Sequence, residues 1–472
     1  MTDDELRDQV GRLVRQLVRE DDSGTERITD SLRAHLGDRA IDLPVLTEEF
    51  QAWELPNLQL GLDALIARDG WSARTLGLSA HARHYGLGLG DLVHGTEWGA
   101  AIGPPEYVNA AVGPDRTLAC LAFAVLLIDA PDGPLAAFVR RGQEHGPMGG
   151  AGLSIQATAP DDQNAAAFLA ELRQLMDERD VYRGQMLTVT VDPMCGSQLS
   201  FVVRPSVGVD ELVLPDGVLE SIERHAIGIT RHRDALAASG RHLSRGLLLW
   251  GPPGTGKTHT VRYLAATRTD ATVIVVSGPA LAVAGGFVTM ARRLQPSLLV
   301  LEDVDLVAQE RTYGPFGSNP VLFELMNQMD GLAGDADIAF VLTTNRADAL
   351  EPALAARPGR IDMAIELPLP DDDGRRRLLE LYGRGLDLRL DEPDAIIART
   401  DGVTASFLKE LLRAGALRAA ESGRDYVADA DLARVLDQLA SEGAALTRVL
   451  LGGERPAAPP DPHAWLSSMS DG

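Results

Sequence analysis

The feature that most limits what this chain can fold into is a glycine-rich loop in its second half. The octapeptide Gly251-Pro-Pro-Gly-Thr-Gly-Lys-Thr258 follows the apolar run GLLLW and precedes a stretch with helical character. It fits the pattern G-x-x-x-x-G-K-[ST] in the strand, loop and helix context that the pattern requires. Backbone N–H groups of such a loop surround a phosphate, and the following helix adds the positive end of its dipole. The loop therefore predicts an α/β domain with a phosphate site.

The sequence around this loop supports the same fold class. Strand-length apolar runs alternate with helical stretches, which is typical of a parallel sheet covered on both faces. The runs are Gly246–Trp250, Thr272–Val276, Leu298–Leu301, Ile338–Leu342 and Met363–Leu367. After Pro370 the strands stop, and amphipathic stretches predict a small helical bundle at Asp373–Tyr382, Ser406–Glu421 and Asp429–Leu439.

The first half of the chain gives patterns of structure but none of chemistry. Helix-like periodicity predicts a helical segment over residues 1–75. Strand-length runs at Leu118–Ile128, Leu135–Val139, Met186–Val191 and Leu199–Val203, with a helix near Asn164–Met176, predict an α+β domain over residues 76–210. We then expect an α/β subdomain over 211–370, a helical subdomain over 371–445 and a disordered tail over 446–472.

Charge and composition exclude several classes of partner. The 472 residues carry 44 basic and 68 acidic side chains, a net charge of −24, which argues against nucleic acid and anionic membranes as partners. The longest apolar run, Leu118–Ile128, is about half of the ~20 residues that cross a bilayer, so we expect no membrane span. The first residues do not read as a signal peptide, and the two cysteines suggest neither a disulfide nor a zinc site. We expect a cytoplasmic setting.

Only two of the 44 basic residues are lysines, Lys257 and Lys409. The excess of arginine is explained by background codon bias, but Lys257 stands where a compact, mobile ammonium suits the β- and γ-phosphates better than the planar fork of arginine. The hydroxyl of the adjacent Thr258 is a suitable Mg²⁺ ligand.

A second candidate site element lies about 45 residues further along. The apolar run Leu298–Leu301 ends in Glu302 and Asp303, which a doubly wound sheet would bring beside the phosphate loop. Phosphoryl transfer to water needs one carboxylate to hold the Mg²⁺ shell and another to orient and polarise the attacking water.

With these motifs in this order, residues from about 210 to 440 resemble an AAA-type ATPase of the AAA+ superfamily. The resemblance implies a parallel-sheet nucleotide-binding core with a C-terminal helical lid, ATP as substrate and Mg²⁺ as cofactor. By position, Glu302 takes the Mg²⁺ role and Asp303 the water-activating role. The family typically has Asp-Glu here; some branches carry the Glu-Asp order of this chain.

The resemblance also assigns roles outside the two central motifs. Asn345 falls on the family's sensor-1 position, and Arg357 and Arg360 fall on the arginine-finger positions that reach a nucleotide bound by a neighbouring subunit. Ile227 and Gly228 correspond to the segment that packs the adenine, and Ala405 to the sensor-2 patch of the lid. The loop residues expected to hold the nucleotide are Pro253, Gly254, Thr255, Gly256, Lys257, Thr258 and His259.

The chain departs from the family after its second core strand. Unfoldases of the family place an aromatic, an apolar residue and glycine there to grip substrate, whereas here no aromatic occupies the expected position in 277–287. Phe287 is either a displaced pore residue or, at helical spacing with Met290 and Leu294, a core residue.

Two functions fit these patterns. One is an oligomeric, hexameric ATPase that couples hydrolysis to remodelling or unfolding of a protein partner recognised by residues 1–205. The alternative is a nucleotide-gated scaffold whose slow ATPase times assembly. DNA remodelling is disfavoured by the charge of −24.

Overall fold

A computed structural model describes residues 27–37, 39–79, 87–95, 101–142, 152–192, 196–305, 336–346 and 361–440. The chain divides into two compact units, Met1–Val202 and Val203–Gly472. Among the described residues, no helix combines the length and the apolar character that a membrane crossing requires. The predicted tail 446–472 and both predicted arginine fingers, Arg357 and Arg360, lie outside the described residues.

The first unit is built on an antiparallel sheet with the strand order β1-β7-β6-β5-β2-β3, and β4 also pairs with β5. Strands β8 and β9 form an antiparallel pair. The strands are β1 Leu46–Phe50, β2 Ser72–Leu78, β3 Ile102–Gly103, β4 Glu106–Gly113, β5 Arg116–Ala130, β6 Gly133–Arg141, β7 Leu153–Thr158, β8 Met186–Asp192 and β9 Gly196–Val202. The helices are α1 Ile28–Leu36, α2 Leu55–Ile66, α3 Leu89–His94 and α4 Asp162–Glu178, with 3₁₀ turns at Ala40–Asp42 and Ala52–Glu54.

Strand β5 shows why this sheet is covered on both faces. Its side chains alternate between two hydrophobic clusters because successive residues of a strand point to opposite faces. Ala124 and Leu126 pack with helices α2 and α4, whereas Val125 and Leu127 pack with α1 and α3. This double burial explains why the strand reads in the sequence as a continuous apolar run.

The strands and the helix predicted between residues 118 and 203 lie within β5, β6, β8, β9 and α4, apart from the final predicted residue, Val203. The predicted helical segment 1–75 differs from the structure, because β1 lies inside it and pairs with β7, and β2 begins at Ser72. Strand β1 reads LTEEF, and its burial alternates over only five residues. Because the strand is short and contains two glutamates, it has no apolar run from which it could be predicted.

The second unit contains the predicted parallel sheet, with the order β14-β10-β13-β12-β11. The strands are β10 Arg245–Trp250, β11 Thr272–Ser277, β12 Ser297–Glu302, β13 Ile338–Thr344 and β14 Met363–Glu366, and the short strands β15 Asp387–Arg389 and β16 Tyr426–Ala428 pair separately. The helices are α5 Val218–Glu223, α6 Ile229–Arg231, α7 Arg233–Ala238, α8 Lys257–Thr267, α9 Ala284–Arg293, α10 Asp372–Tyr382, α11 Pro393–Arg399, α12 Ala405–Glu421 and α13 Asp429–Ala440. The segments Val209–Glu211 and Gly278–Val283 are 3₁₀ helices, and Arg224–Gly228 is π-helical.

The register of the parallel strands sets the position of the candidate site. Trp250 pairs with Thr344, and Leu301 pairs with Leu342, so β10, β12 and β13 end at the same edge of the sheet. The phosphate loop, Asp303 and Asn345 each follow one of these ends, and Glu302 is the last residue of β12. A parallel sheet with this strand order therefore brings together residues that are up to 94 positions apart in the chain.

Helices α10 to α13 enclose a hydrophobic core of their own, as the sequence predicted for the stretch after Pro370. The cluster is rich in leucine and isoleucine from all four helices, and Val427 of β16 packs into it. Thr404 caps α12 by accepting a hydrogen bond from the Phe407 N–H. Strands β15 and β16 were not predicted, because three-residue strands are too short to show alternation.

A buried ion pair joins the amino ends of β10 and β13. Arg245 Nη1 donates to Asp337 Oδ1 over 2.8 Å, and both side chains are 3% exposed or less. The same guanidinium donates to the backbone carbonyls of Ala226 and Leu243 and to the hydroxyl of Thr230. These bonds attach the π-helical segment and helix α6 to the sheet.

We expect the substitution Arg245→Met to lower the free energy of unfolding by about 3 kcal/mol, because it leaves the buried Asp337 carboxylate without its cation. Urea denaturation of the chain without nucleotide measures this loss. Arg241→Met is a matched control, since Arg241 is an exposed arginine just before β10 and its loss should change stability little. Equal effects of the two substitutions would contradict the role of the ion pair.

Candidate functional site

The phosphate loop leaves β10 through a glycine that no other residue could replace. Gly251 has φ 145°, and a Cβ atom at this position would lie 2.2 Å from the carbonyl oxygen of Leu367. Gly256, at the other end of the loop, has φ 102° and begins helix α8, with open space where its side chain would be. The loop therefore fits closely against the sheet on one side and leaves room at the helix N-terminus on the other.

Lys257 lies inside this loop rather than in solvent. Its Nζ donates to the carbonyl oxygens of Gly251 and Pro252, each over 2.8 Å, and the residue is 6% exposed. Burial lowers the pKa of the ammonium, while the charges of Asp303 and Asp305 act to raise it. The lysine thus supplies a positive charge held between the loop and the carboxylates that follow β12.

Glu302 is the last residue of β12 and has the features of a Mg²⁺ ligand. Its Oε1 is buried and has no hydrogen-bond partner, and the Thr258 side chain hydrogen-bonds to the same carboxyl group. Burial raises the pKa of Glu302, as does the charge of Asp303, whereas Thr258 and Arg262 lower it. A partly buried carboxylate with a buried, unpaired oxygen beside a threonine hydroxyl fits Mg²⁺, which prefers oxygen ligands.

Asp303 follows in a left-handed backbone conformation, with φ 53°. Its N–H donates to Thr343 Oγ1 over 3.0 Å, and its Oδ1 is 3.5 Å from Nδ2 of Asn345. Burial and the charge of Asp305 raise the pKa of Asp303, while Lys257 and Asn345 oppose the rise. Asp and Asn adopt this conformation more readily than other residues that have a Cβ, which accounts for the shorter acid at this position.

We expect Asp303→Glu to lower the free energy of unfolding by about 1 kcal/mol, because glutamate tolerates the left-handed region less well. Asp303→Asn is the matched control, since asparagine adopts this region as readily as aspartate does. Urea denaturation without nucleotide compares the two variants with the parent chain. A glutamate variant as stable as the asparagine variant would show that backbone conformation does not select the shorter acid.

A cavity of about 610 Å³ lies beside the phosphate loop. Its walls come from the segment before α5, the segment after β14, the start of α10, Thr255 and Ala405. The polar and charged lining residues are Asp216, Thr255, Asp371, Asp373 and Arg377. Its size and its position next to the loop suit the base and sugar of a nucleotide.

The predicted adenine-packing residues do not line this cavity in the described part of the chain. Ile227 and Gly228 lie in the π-helical segment Arg224–Gly228, and Ile227 is 5% exposed. Val213 and Leu214 instead form part of the wall. The sequence analysis did not identify these two residues. The feature that could have indicated them is the proline-containing segment Val213-Leu-Pro-Asp216, which lies between the 3₁₀ helix Val209–Glu211 and helix α5.

The lid helix α12 begins directly against the phosphate loop. The N–H of Ser406 donates to the carbonyl oxygen of Gly254 over 3.4 Å, and a Cβ at Gly254 would lie 3.0 Å from the hydroxyls of Thr404 and Ser406. Ala405 therefore lies beside the loop. On the other side, His259 Nε2 lies 3.1 Å from the carbonyl oxygen of Glu211, just before the cavity wall.

Most of the predicted site residues thus meet at one place. The structure brings together the phosphate loop with Pro253 and Thr258, Glu302, Asp303, Asn345 and Ala405, and it does not bring Ile227 and Gly228 to the cavity. Arg357 and Arg360 lie outside the described residues. Phe287 is 2% exposed within α9, which confirms its interpretation as a core residue.

Comparisons with known proteins agree with this geometry. Residues 247–369 match the profile of the ATPase family associated with various cellular activities (AAA). The chain is 34% identical over 209 residues to the proteasome-activating nucleotidase of Methanothermobacter thermautotrophicus, a match covering 41% of this chain and 50% of that protein. It is 35% identical over 313 residues to the ATP-dependent zinc metalloprotease FtsH of Thermus thermophilus, covering 61% of this chain and 49% of that protein.

A third relative is covered more completely. The proteasome-activating nucleotidase of Pyrococcus horikoshii is 30% identical over 285 residues, which cover 57% of this chain and 69% of that protein. The chain spans about half the length of the first two relatives, so the match to those two proteins is with part of each.

Proposed function

Because this chain belongs to the AAA family of ATPases, we propose that it binds ATP with Mg²⁺ at the site between the phosphate loop and the ends of β12 and β13, and that it hydrolyses the nucleotide there. The observation that best supports this proposal is that one ammonium group, two carboxyl groups and one amide group lie at the same edge of the sheet. Lys257, Glu302, Asp303 and Asn345 supply these groups. ATP hydrolysis needs the same set.

Each residue has a role that its surroundings support. Lys257 gives up its hydrogen bonds to the carbonyl oxygens of Gly251 and Pro252 and donates to phosphate oxygens instead. Its charge then neutralises part of the charge on the β- and γ-phosphates. Asp303 orients a water for in-line attack: the water oxygen bonds to the γ-phosphorus, the bond from phosphorus to the bridging oxygen breaks, ADP leaves with that electron pair, and the water proton passes to Asp303. Asn345 holds the water and the γ-phosphate without adding charge.

Thr258 and Glu302 would hold the Mg²⁺ shell, Glu302 through the oxygen that lacks a partner. When bound, the ion supplies positive charge to the phosphate oxygens and fixes their orientation. The cavity would receive the base and ribose, with Val213, Leu214 and Ala405 in its wall.

We further propose that hydrolysis drives the remodelling or unfolding of a protein partner by a homo-oligomeric ring, for which we propose six subunits. The names of the relatives join nucleotide use to proteasome activation and to proteolysis, which supports a protein client. The net charge of −24 supports a protein over nucleic acid. Arg357 and Arg360 would complete each site from the next subunit. Residues 1–205, which include the whole first unit, would recognise the client. We also propose a cytoplasmic setting.

The unfolding of a destabilised fluorescent test protein measures this function. We expect loss of its fluorescence with ATP and the parent chain, and no loss with Asp303→Asn or with ADP. ATP turnover without any loss of fluorescence, across several test proteins, would contradict the remodelling function and leave the ATPase assignment intact.

The second candidate, a nucleotide-gated scaffold, is favoured by one observation. Phe287 is the only aromatic residue in 278–293 and is buried, so this stretch offers no exposed ring to grip a polypeptide. A scaffold would bind its partner in an ATP-dependent way and release it unchanged. Binding without unfolding in the same assay would support this candidate.

A further inference from the structure

A third carboxylate, Asp305, lies close behind the two that the proposed function uses. It comes three residues after the end of β12 and is 3% exposed. Its Oδ1 accepts two hydrogen bonds from the end of β13, one from Thr344 Oγ1 over 2.9 Å and one from the Asn345 N–H over 3.2 Å. One carboxylate oxygen therefore holds both the residue before Asn345 and the backbone of Asn345 itself.

These bonds fix the point at which β13 ends. The Thr344 hydroxyl donates to Asp305 and accepts from the Arg346 N–H over 3.0 Å, so its orientation is set from both sides. Asn345, between them, points its amide towards Asp303, with 3.5 Å between Nδ2 and Oδ1. The position of the sensor amide thus depends on a backbone that Asp305 holds in place.

A purely structural role would not call for a carboxylate here. Burying an ionised carboxyl group costs several kcal/mol unless its surroundings compensate, and a neutral side chain packs a strand end more cheaply. Asp305 also lies close enough to Asp303 for its charge to raise the pKa of that carboxyl group. A charged acceptor forms the shorter and stronger hydrogen bonds that hold a backbone rigidly.

We propose that Asp305 is a positioning residue for hydrolysis, which holds Asn345 in the orientation that contacts the γ-phosphate and the attacking water. The inference rests on the proposed function, because it assigns Asp305 to that same site. The positioning role runs through the hydrogen bonds of Asp305 to Thr344 and to the Asn345 N–H, beside the effect of its charge on Lys257 and Asp303.

A double-mutant cycle on the 472-residue chain tests this inference. We expect Asn345→Ala and Asp305→Ala each to lower kcat about 100-fold, the effect of removing one preorganised donor. The double variant should be no slower than either single variant, because both changes remove the same interaction. An effect of Asp305→Ala in the Asn345→Ala background as large as its effect in the parent chain would overturn the inference.

A binding measurement provides a readout independent of turnover. The ratio of the ADP and ATP dissociation constants reports contact with the γ-phosphate, and we expect Asn345→Ala and Asp305→Ala to lower this ratio by the same factor, about tenfold. Asp305→Ala should leave the dissociation constant of ADP within about threefold of the parent value. An equal loss of ADP and ATP affinity would indicate a general structural defect and overturn the positioning role.

Two milder substitutions keep the test decisive if Asp305→Ala does not fold. Asp305→Asn retains an acceptor oxygen for both hydrogen bonds but loses the charge that strengthens them, and should lower kcat about tenfold, less than Asp305→Ala does. Thr344→Val removes both hydrogen bonds of the hydroxyl, to Asp305 and from the Arg346 N–H, and leaves the bond from the Asn345 N–H to Asp305; it should lower kcat about tenfold. Parent-like turnover in Thr344→Val together with a 100-fold loss in Asp305→Asn would overturn the inference. Absence of turnover in the parent chain itself would instead contradict the proposed function.

Discussion

Replacement of Lys257 by alanine is expected to lower ATP turnover about a thousandfold. The ammonium is buried and lies 2.8 Å from two carbonyl oxygens of the phosphate loop. Lys257 is the only charged residue of the octapeptide Gly251–Thr258, so no other side chain of the loop can supply the same charge. Lys257→Arg should lower ATP turnover nearly as much, because a planar guanidinium does not fit the space that holds a compact ammonium. Phosphate release at saturating ATP measures both losses.

The chain itself offers a matched control for this prediction. Lys409 is the other lysine; it is exposed on α12 and lies 5.9 Å from the ring of Tyr382. Lys409→Ala removes the same charge from the same type of side chain, and we expect it to leave turnover unchanged. Similar losses in the two alanine variants would mean that the effect comes from net charge or folding rather than from the phosphate loop.

Replacement of Arg360 by alanine is expected to lower turnover about a thousandfold while leaving ATP affinity nearly unchanged. An arginine delivered from a neighbouring subunit stabilises charge that develops only during phosphoryl transfer. Arg357→Ala should have an effect of the same kind. Equilibrium binding and phosphate release, measured on the same preparation, separate the two quantities.

A mixing experiment tests whether Arg360 acts between subunits. Lys257→Ala has defective loops and intact arginines, whereas Arg360→Ala has the reverse, so mixed rings contain some interfaces with both groups intact. Random assembly of equal amounts should restore about a quarter of the parent activity. A mixture as inactive as its two components would contradict the transfer of Arg360 across the interface.

The sequence predicted the fold and the site best where strong local patterns coincide with tertiary contacts. Strands β10 to β13 are buried on both faces, so each is an apolar run, and the loop with Lys257 has few alternative conformations. The positions of Glu302, Asp303 and Asn345 follow from the rule that parallel strands end at one edge of the sheet.

Other features depend on contacts that no local pattern records. Strand β1 is short and acidic and owes its conformation to pairing with β7. Asp305 is distinguished from an ordinary acidic residue only by its bonds to Thr344 and Asn345 across the sheet. The cavity wall at Val213 and Leu214 belongs to a segment without regular secondary structure, so no periodic pattern marks it in the sequence. The assignment of Ile227 and Gly228 came instead from the family resemblance, which places the adenine-packing segment there.

The most direct test of the central claim compares ATP binding and ATP hydrolysis in Asp303→Asn. Asparagine keeps the left-handed backbone and the size of the side chain but cannot accept the water proton. We expect Asp303→Asn to bind ATP within about threefold of the parent affinity and to hydrolyse it at least about a hundredfold more slowly. Hydrolysis at the parent rate would contradict the assignment of Asp303 and, with it, the site described between the phosphate loop and the ends of β12 and β13.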